Sequence, residues 1–163
     1  MAGASFEMDL SGLRGMVKRA IRGLGESQEL MEAVGEAWVS STIERFEEGK
    51  GPDGTDWKKS SRAEEEGGQT MVKSGGLKGS ISSEASPATV FVGTTNEVCG
   101  AIHQFGGEIK PRSGNRLIFD VGGRTVAARK VDMPARPYIG ISEEDVEEAK
   151  EMVRLFMQGA FGL

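Results

Sequence analysis

Cys99 and His103 are the two side chains of this sequence whose types and spacing could perform chemistry. A cysteine thiol becomes a nucleophile when a base such as imidazole lies within hydrogen-bond reach, and residues four apart meet in this way only on a helix. Gly100 between them weakens the case for a helix. No third residue that would orient the imidazole can be identified from the sequence. The pattern therefore favours a structural histidine over a catalytic one.

Other signatures of catalysis or of cofactor and metal binding are not found in the sequence. The stretch "GGLKGS" lacks the spacing of a phosphate-binding loop, and "GLGESQ" fails the dinucleotide fingerprint at its third glycine. One histidine and one cysteine are too few for a structural zinc site. The acidic runs "AEEEGG" and "SEEDVEEAKE" are explained by solvation and by the helix dipole. We predict a protein that is not an enzyme and that needs no cofactor or metal ion.

The composition indicates a single domain over residues 1–163. The chain has 24 glycines and only 6% aromatic residues, so its core must be mainly aliphatic and much of its backbone must form turns. The net charge of -5 argues against a general nucleic-acid binder, although a local basic patch stays open. Lone Cys99 excludes an internal disulfide, and no apolar run approaches the ~18 residues that span a bilayer. We expect a soluble protein made in the cytoplasm.

Periodicity predicts a strand and two helices at the start of the chain. Residues 5–10 alternate like a half-buried strand, and residues 13–24 follow with a helical spacing of apolar side chains. A second, longer helix is predicted to begin after Ser27, which would act as its N-cap. The buried side of this helix is predicted to be Met31, Val34, Trp38, Val39, Ile43 and Phe46.

Residues 58–76 are predicted to form a flexible arm. Their composition is dominated by Gly, Ser, Lys and Glu, and Met71 and Val72 supply almost all of the apolar surface. Such a segment cannot bury enough surface to become ordered alone. We expect it to become ordered on assembly.

The second half of the chain predicts strands and a terminal helix. Residues 77–83 and 89–94 read as a hairpin around Ser86-Pro87, and "RLIFDV" and "TVAARKV" read as another around Gly122-Gly123. The stretch "AIHQF" is too short to distinguish a helical turn from the start of a strand. Ser142 and Asp145 predict a capping box for a last helix, supported by a hydrophobic staple of Ile141 and Val146; its inward residues are Val146, Ala149, Val153 and Phe156.

This order of elements predicts the α+β class. We expect an N-terminal strand and two helices, a mainly antiparallel sheet of about four to five strands with helices packed on one face, and a C-terminal helix.

Four stretches together resemble a known family. They are "RFEEGKGPDGTDWKKSS" (45–61), "KSGGLKGSIS" (73–82), "VFVGTTNEVCGAIHQFGG" (90–107) and "MPARPYIGIS" (133–142). In this order and spacing they resemble the phage virion morphogenesis family, the tail completion proteins of Mu-like and related tailed phages. The likeness covers the chain from about Phe6 to Phe156.

The resemblance implies a structural virion protein of the head-tail joint. Such a neck, tail completion or tail terminator protein forms a homo-oligomeric ring, with a hexamer favoured, that finishes the tail and permits head-tail joining. The implied partners are the tail tube or tail terminator and the head-connector proteins. Genomic DNA would pass through the lumen without specific binding, and no membrane would be involved. The net charge of -5 adds the hypothesis that the wall of such a ring weakly repels DNA. The protein would be assembled in the host cytoplasm and reside in the virion.

Motif matches identify most of the predicted contact residues. His103, Gln104 and Gly106 match the family's "HQFG" block, while Arg136 and Tyr138 match its "PARPF" block with tyrosine in place of phenylalanine. We predict that these five, together with Trp57, contact a neighbouring subunit or partner.

Some residues of these stretches also have a purely structural interpretation. Pro134 and Pro137 stiffen the chain around Arg136, which suits either a docking segment or a rigid connector. Trp57 either covers the core or anchors a partner. Phe105 is expected to fill the core.

Two other functions stay open from the sequence. A small hydrolase or nuclease using His103 or Cys99 would need a pocket that holds both side chains. A DNA-binding accessory protein would use "KKSSR" and "KPRSGNR" as phosphate contacts. The structural hypothesis predicts that Arg136→Glu blocks tail completion while His103→Ala is mild.

Overall fold

The computed structural model describes residues 5–6, 15 and 27–161. The elements in chain order are β1 (Ser5–Phe6), α1 (Gln28–Glu48), α2 (Ser61–Glu65), a 3-10 turn (Lys78–Ser80), β2 (Ile81–Ser86), β3 (Thr89–Thr94), α3 (Gly100–Phe105), β4 (Gly107–Ile109), β5 (Leu117–Val121), β6 (Arg124–Ala128), β7 (Val131–Met133) and α4 (Glu143–Phe161). Helices combined with antiparallel strands confirm the α+β class. The predicted strand at residues 5–10 is described only at Ser5–Phe6, and the predicted helix over residues 13–24 lies outside the described residues apart from Gly15.

The strands within the described residues form three small antiparallel sheets instead of a single larger one. The first sheet has the order β1-β3-β2, while β4 pairs with β7 and β5 pairs with β6. In the β5–β6 ribbon most side chains are exposed, including Ile118 at 75%. The ribbon therefore lacks the buried face that would join it to the other strands. The predicted hairpins around Ser86-Pro87 and Gly122-Gly123 are both present. The strand predicted over residues 77–83 is wrong before Ile81, because Lys78–Ser80 form a 3-10 turn, and the strand predicted over residues 125–131 ends at Ala128.

Helix α1 lies on β2 and β3, and α4 packs on α1. A Cβ atom at Gly35 would lie 2.8 Å from the Ser83 hydroxyl oxygen, so glycine lets the helix approach the sheet closely. The buried residues of α1 are Leu30, Met31, Val34, Gly35, Trp38, Thr42, Arg45 and Phe46. Val39 and Ile43 from the predicted stripe are only half-buried.

The two predicted helix caps have different outcomes. Ser142 and Asp145 form the predicted capping box: the Asp145 amide donates to the Ser142 hydroxyl at 3.1 Å, and the Ser142 amide donates to the Asp145 carboxylate at 2.7 Å. Ser27 does occupy the N-cap position of α1, but its hydroxyl donates to the carbonyl of Pro87 and makes no cap hydrogen bond. The predicted side-chain cap at Ser27 is therefore wrong, because a carbonyl from the β2–β3 turn engages the hydroxyl.

Residues 58–76 contain the short helix α2 and a set of local hydrogen bonds. The Ser60 hydroxyl accepts from the Ala63 amide at 3.2 Å and caps α2. The Arg62 guanidinium donates to the carbonyls of Gln69 at 2.6 Å and Val72 at 3.1 Å. These bonds define a conformation for the segment, while its mobility stays a prediction. Among the residues that the structure describes, no helix combines the length and apolar character that crossing a membrane requires.

Candidate functional site

The candidate site lies where α3 meets the proline-containing segment 133–141. Residues 100–105 are helical, which settles the structure of "AIHQF". The Asn96 side-chain oxygen accepts from the Cys99 amide at 3.1 Å at the start of this helix. At its end Gly106 adopts φ 70° and ψ -175°, a region that is essentially restricted to glycine. A Cβ atom at Gly106 would lie 2.7 Å from the Ala135 amide nitrogen, so glycine also permits the close approach of the two segments.

Gln104 joins α3 to the segment through three buried hydrogen bonds. Its side-chain oxygen accepts from the amides of Tyr138 and Ile139, each at 3.0 Å. Its side-chain nitrogen donates to the Ile139 carbonyl at 2.8 Å. One side chain thus satisfies three backbone groups that would otherwise be buried without partners.

Tyr138 is completely buried beneath the same helix. Its hydroxyl donates to the Gly100 carbonyl at 3.1 Å, and its aromatic centroid lies 5.2 Å from that of Phe46 on α1. Burial, followed by the nearby Cys99, raises the pKa of Tyr138 to about 12. The residue therefore ties α3, the segment and the main core together.

Arg136 and Trp57 connect the segment to the chain around residue 58. The Arg136 backbone amide donates to the His103 carbonyl at 2.7 Å, and its guanidinium donates to the Lys58 carbonyl at 2.8 Å. The Trp57 indole nitrogen donates to the Pro137 carbonyl at 2.9 Å. Both side chains are buried, with 3% of Arg136 and 8% of Trp57 exposed. Burial lowers the pKa of Arg136.

His103 is half-buried beside these residues. Its Nδ1 atom is buried and makes no hydrogen bond within the described part of the chain. Burial, and then the positive charge of Arg136, lower the pKa of His103 from its ordinary value of 6.5. Imidazole is therefore the predominant form at neutral pH.

His103 and Cys99 both line an open cavity of about 560 Å³. A cavity holding both side chains is what a catalytic pair requires. The hydrogen bonds of residues 27–161 do not join the thiol to the imidazole, and no carboxylate or amide in that range orients Nδ1. The described residues also contain no group of three His, Cys, Asp or Glu side chains that could hold a metal ion.

The structure brings the six predicted contact residues into one internal cluster. Gln104, Arg136, Tyr138 and Trp57 are buried inside the chain, and His103 and Gly106 are half-buried beside them. Their role in binding a partner stays a prediction. Phe105 was expected to fill the core, but 63% of it is exposed. That expectation is wrong because α3 turns Gln104, and not its neighbour, toward segment 133–141.

Sequence reasoning missed a second buried contact behind the cluster. Arg45 on α1 donates to the carbonyls of Tyr138 at 3.2 Å and Gly140 at 2.8 Å and forms an ion pair with Asp145. Arg45 is one arginine of a charged helix, and its partners lie more than 90 positions later in the chain. No local signal identifies such a contact.

Two comparisons with known proteins found a match that covers most of the chain. The model of the phage virion morphogenesis family matches residues 8–158. The protein named Mu-like prophage FluMu G protein 2 from Haemophilus influenzae is 30% identical over 142 residues, which cover 87% of this chain and 86% of that relative. No solved structure matches the chain. The family match includes every residue of the cluster described above.

Proposed function

The chain belongs to the phage virion morphogenesis family, and we propose that it acts at the phage head-tail joint, where it forms a ring that finishes the tail and permits head-tail joining. Its structural role in phage morphogenesis follows from the family. The specific role that we propose is that of a tail completion, neck or tail terminator protein, which is located in the virion and assembled in the host cytoplasm. The observation that carries the proposal is the family match over residues 8–158.

The geometry of the cluster supports a role as a building block. Gln104 and Arg45 direct their polar groups to backbone groups of segment 133–141. The Arg136 guanidinium donates to the Lys58 carbonyl, and the Tyr138 hydroxyl donates to the Gly100 carbonyl of α3. These hydrogen bonds hold backbone segments of the chain in place, which is a structural use of the four side chains. A rigid platform of this kind presents its outer face to partners at a low entropic cost.

The proposed partners are copies of this chain in a ring, with a hexamer favoured, the tail tube or tail terminator, and the head-connector proteins. Genomic DNA would pass through the ring without specific binding. The net charge of -5 supports this passage because an acidic wall does not retain phosphates.

A phage that lacks the gene tests the proposal. We expect electron micrographs of its lysate to show heads and tails that have not joined, and we expect the wild-type chain supplied from a plasmid to restore complete virions. Normal virions in the absence of the protein would overturn the proposal. Native mass spectrometry of the purified chain then measures the number of subunits.

A small hydrolase or nuclease using His103 is a second candidate, favoured by the cavity that His103 shares with Cys99. The missing hydrogen bond between the two side chains and the unpartnered Nδ1 count against it within the described residues. Complementation with His103→Gln and Cys99→Ser separates the two functions. We expect both variants to restore virions, whereas an enzyme would lose function in the variant of its catalytic residue, His103→Gln or Cys99→Ser, while that variant remains folded.

A further inference from the structure

The cavity beside His103 concentrates positive charge in a chain whose net charge is -5. We call it the basic groove. Its cationic residues are Lys58, Lys59, Arg62, Lys73 and Arg136. Asp132 is the one carboxylate among the described residues that line it.

None of these five cations has a carboxylate partner within the described residues, where all the ion pairs involve other side chains. Arg62 and Arg136 donate to backbone carbonyls, which leaves their charge uncompensated. Lys58, Lys59 and Lys73 line the groove and are exposed. The groove thus presents a positive potential that an anionic surface would neutralise.

A complementary surface occurs elsewhere on the same chain. Glu44 on α1 and Glu144 at the start of α4 line a second cavity of about 380 Å³, and Glu143 lies next to Glu144 in sequence. The two cations that also line this cavity are paired within the chain, Arg45 with Asp145 and Lys50 with Glu48. Glu44, Glu143 and Glu144 are exposed and have no cationic partner in the part of the chain that the structure describes. We call these three residues the acidic face. The two cavities share no lining residue, so one copy can use both surfaces at once.

We propose that the basic groove of one copy receives the acidic face of a second copy of this chain. The inference rests on the proposed ring and names the contact that builds it. A contact between two different surfaces is heterologous, and successive contacts of this kind close into a ring when the rotation between copies permits. Complementary charge fixes the orientation of the two copies and speeds their encounter. Because exposed charges are screened by salt, the assembly weakens as ionic strength rises.

Nucleic acid is the other polyanion that such a groove could attract. The second basic stretch, residues 110–116, does not line the groove, and its Lys110 pairs with Glu108. The cations therefore do not extend into the long track that a duplex backbone requires. A compact acidic surface fits the five clustered cations better.

Two charge-reversed chains test the contact. The groove-reversed chain carries Lys58→Glu, Lys59→Glu and Lys73→Glu. The face-reversed chain carries Glu44→Lys, Glu143→Lys and Glu144→Lys. We expect native mass spectrometry at low salt to find oligomers of the wild-type chain and only monomers of either reversed chain. An equal mixture of the two reversed chains should restore oligomers, since each groove then meets a face of opposite charge.

Matched controls exclude misfolding and a general effect of charge. The chain Lys110→Glu, Arg112→Glu, Arg116→Glu undergoes the same change of charge on exposed residues outside the groove and should keep its oligomers. Rescue in the mixture requires two folded chains. If circular dichroism shows that a reversed chain does not fold, neutral versions with glutamine at the same positions are used, and these should dissociate at lower salt than the wild type.

Three outcomes would overturn the inference. The first is a wild-type chain that stays monomeric at low salt, and the second is a groove-reversed chain that oligomerises normally. The third is that the groove binds DNA instead of a second copy. In that case a labelled 30-bp duplex, a length of about three helical turns, binds the wild-type and face-reversed chains but not the groove-reversed chain, and all three chains form the same oligomers. Oligomers that persist in the groove-reversed chain leave the proposed ring intact, whereas virions that form without the protein overturn the proposed function itself.

Discussion

Arg45 on α1 and Asp145 in the first turn of α4 form a buried ion pair 100 positions apart in sequence. Only 7% of the Arg45 side chain and 3% of the Asp145 side chain are exposed. The same guanidinium holds the carbonyls of Tyr138 and Gly140, while the same carboxylate caps α4 through Ser142. The pair therefore connects the longest helix, the proline-containing segment and the terminal helix at one point.

Removal of one member of this pair should be strongly destabilising. We expect Arg45→Met to lower the free energy of unfolding by about 3–5 kcal/mol, because it leaves the Asp145 carboxylate buried without its counter-ion. Urea denaturation measures the change. The exposed pair between Arg154 and Glu151 on α4 provides the control, and Arg154→Met should leave the midpoint within experimental error. Equal effects of the two substitutions would contradict the assigned role of Arg45.

Gln104 and its neighbour Phe105 should respond to substitution in opposite ways. Gln104→Leu leaves two amides and one carbonyl of segment 133–141 buried without partners, so we expect a loss of about 3 kcal/mol or more. Phe105 is 63% exposed, and Phe105→Ser should change stability by less than about 0.5 kcal/mol. Thermal unfolding of both variants provides the measurement. A small loss of stability in Gln104→Leu would mean that water molecules take over the hydrogen bonds of the Gln104 side-chain amide.

Gly106 is predicted to be irreplaceable for two separate reasons. Its backbone conformation is open only to glycine, and an added Cβ would lie 2.7 Å from the Ala135 amide nitrogen. We expect Gly106→Ala to cost about 3 kcal/mol or more. Gly49 also has a positive φ, of 75°, but has no atom within 4 Å of the added Cβ. Gly49→Ala should therefore cost only about 1 kcal/mol. Similar losses in the two variants would show that the close approach at Ala135 is unimportant.

The local features of this fold could be predicted from sequence because neighbouring residues determine them. Ser142 and Asp145 lie three positions apart, and their hydrogen bonds form as soon as α4 does. Gly122 and Gly123 adopt the positive φ values of 57° and 72° that the tight turn requires, and glycine can do so whatever its tertiary neighbours are. Signals of this kind identified the hairpins and the terminal helix.

The features that could not be predicted depend on distant partners. The Ser27 hydroxyl was expected to cap α1, but it bonds to Pro87, which is 60 positions away. Helix α3 has six residues, too few for a period to be visible, and its orientation depends on contacts with segment 133–141. The basic residues 58–62 could be found in sequence, whereas their grouping with Lys73 and Arg136 exists only in the fold.

His103 should make the stability of the protein dependent on pH. Its pKa is lowered by burial and by Arg136, so the folded chain binds fewer protons at this site than the unfolded chain does. The contribution to stability is therefore complete above the unfolded value of 6.5 and is lost as pH falls toward the folded-state pKa. Urea denaturation of wild type and His103→Gln from pH 7.5 to 5 (about the range in which histidine titrates) should show a smaller loss in the variant.

Nuclear magnetic resonance provides an independent check of this pH effect. The chain has a single histidine, so its imidazole signals can be assigned without ambiguity. A titration midpoint at or above 6.5 would contradict the effect of burial described for His103.

The β5–β6 ribbon should open locally more easily than the rest of the fold. Besides packing between β5 and α2, two polar contacts attach the ribbon to residues 65 and 66. The Gly122 amide donates to the Glu66 carboxylate at 3.0 Å, and Arg124 pairs with Glu65 at 3.2 Å. Few of its side chains are buried, so we expect the free energy of its local opening to be low compared with that of the other segments of the fold. We therefore expect the double substitution Glu65→Gln, Glu66→Gln to accelerate hydrogen exchange at residues 117–128 without changing the global unfolding midpoint.

Measuring hydrogen exchange at different salt concentrations distinguishes an electrostatic attachment of the ribbon from a purely steric one. Raised ionic strength should accelerate exchange of the ribbon in the wild type, because it screens the exposed pair between Arg124 and Glu65. The same salt should have little effect in the doubly substituted chain, in which that charge pair no longer exists. Glu64→Gln is the matched control, since Glu64 is an exposed neighbour on α2 with no hydrogen bond to the described part of the ribbon. Unchanged exchange in the double variant would mean that these two polar contacts do not hold the ribbon in place.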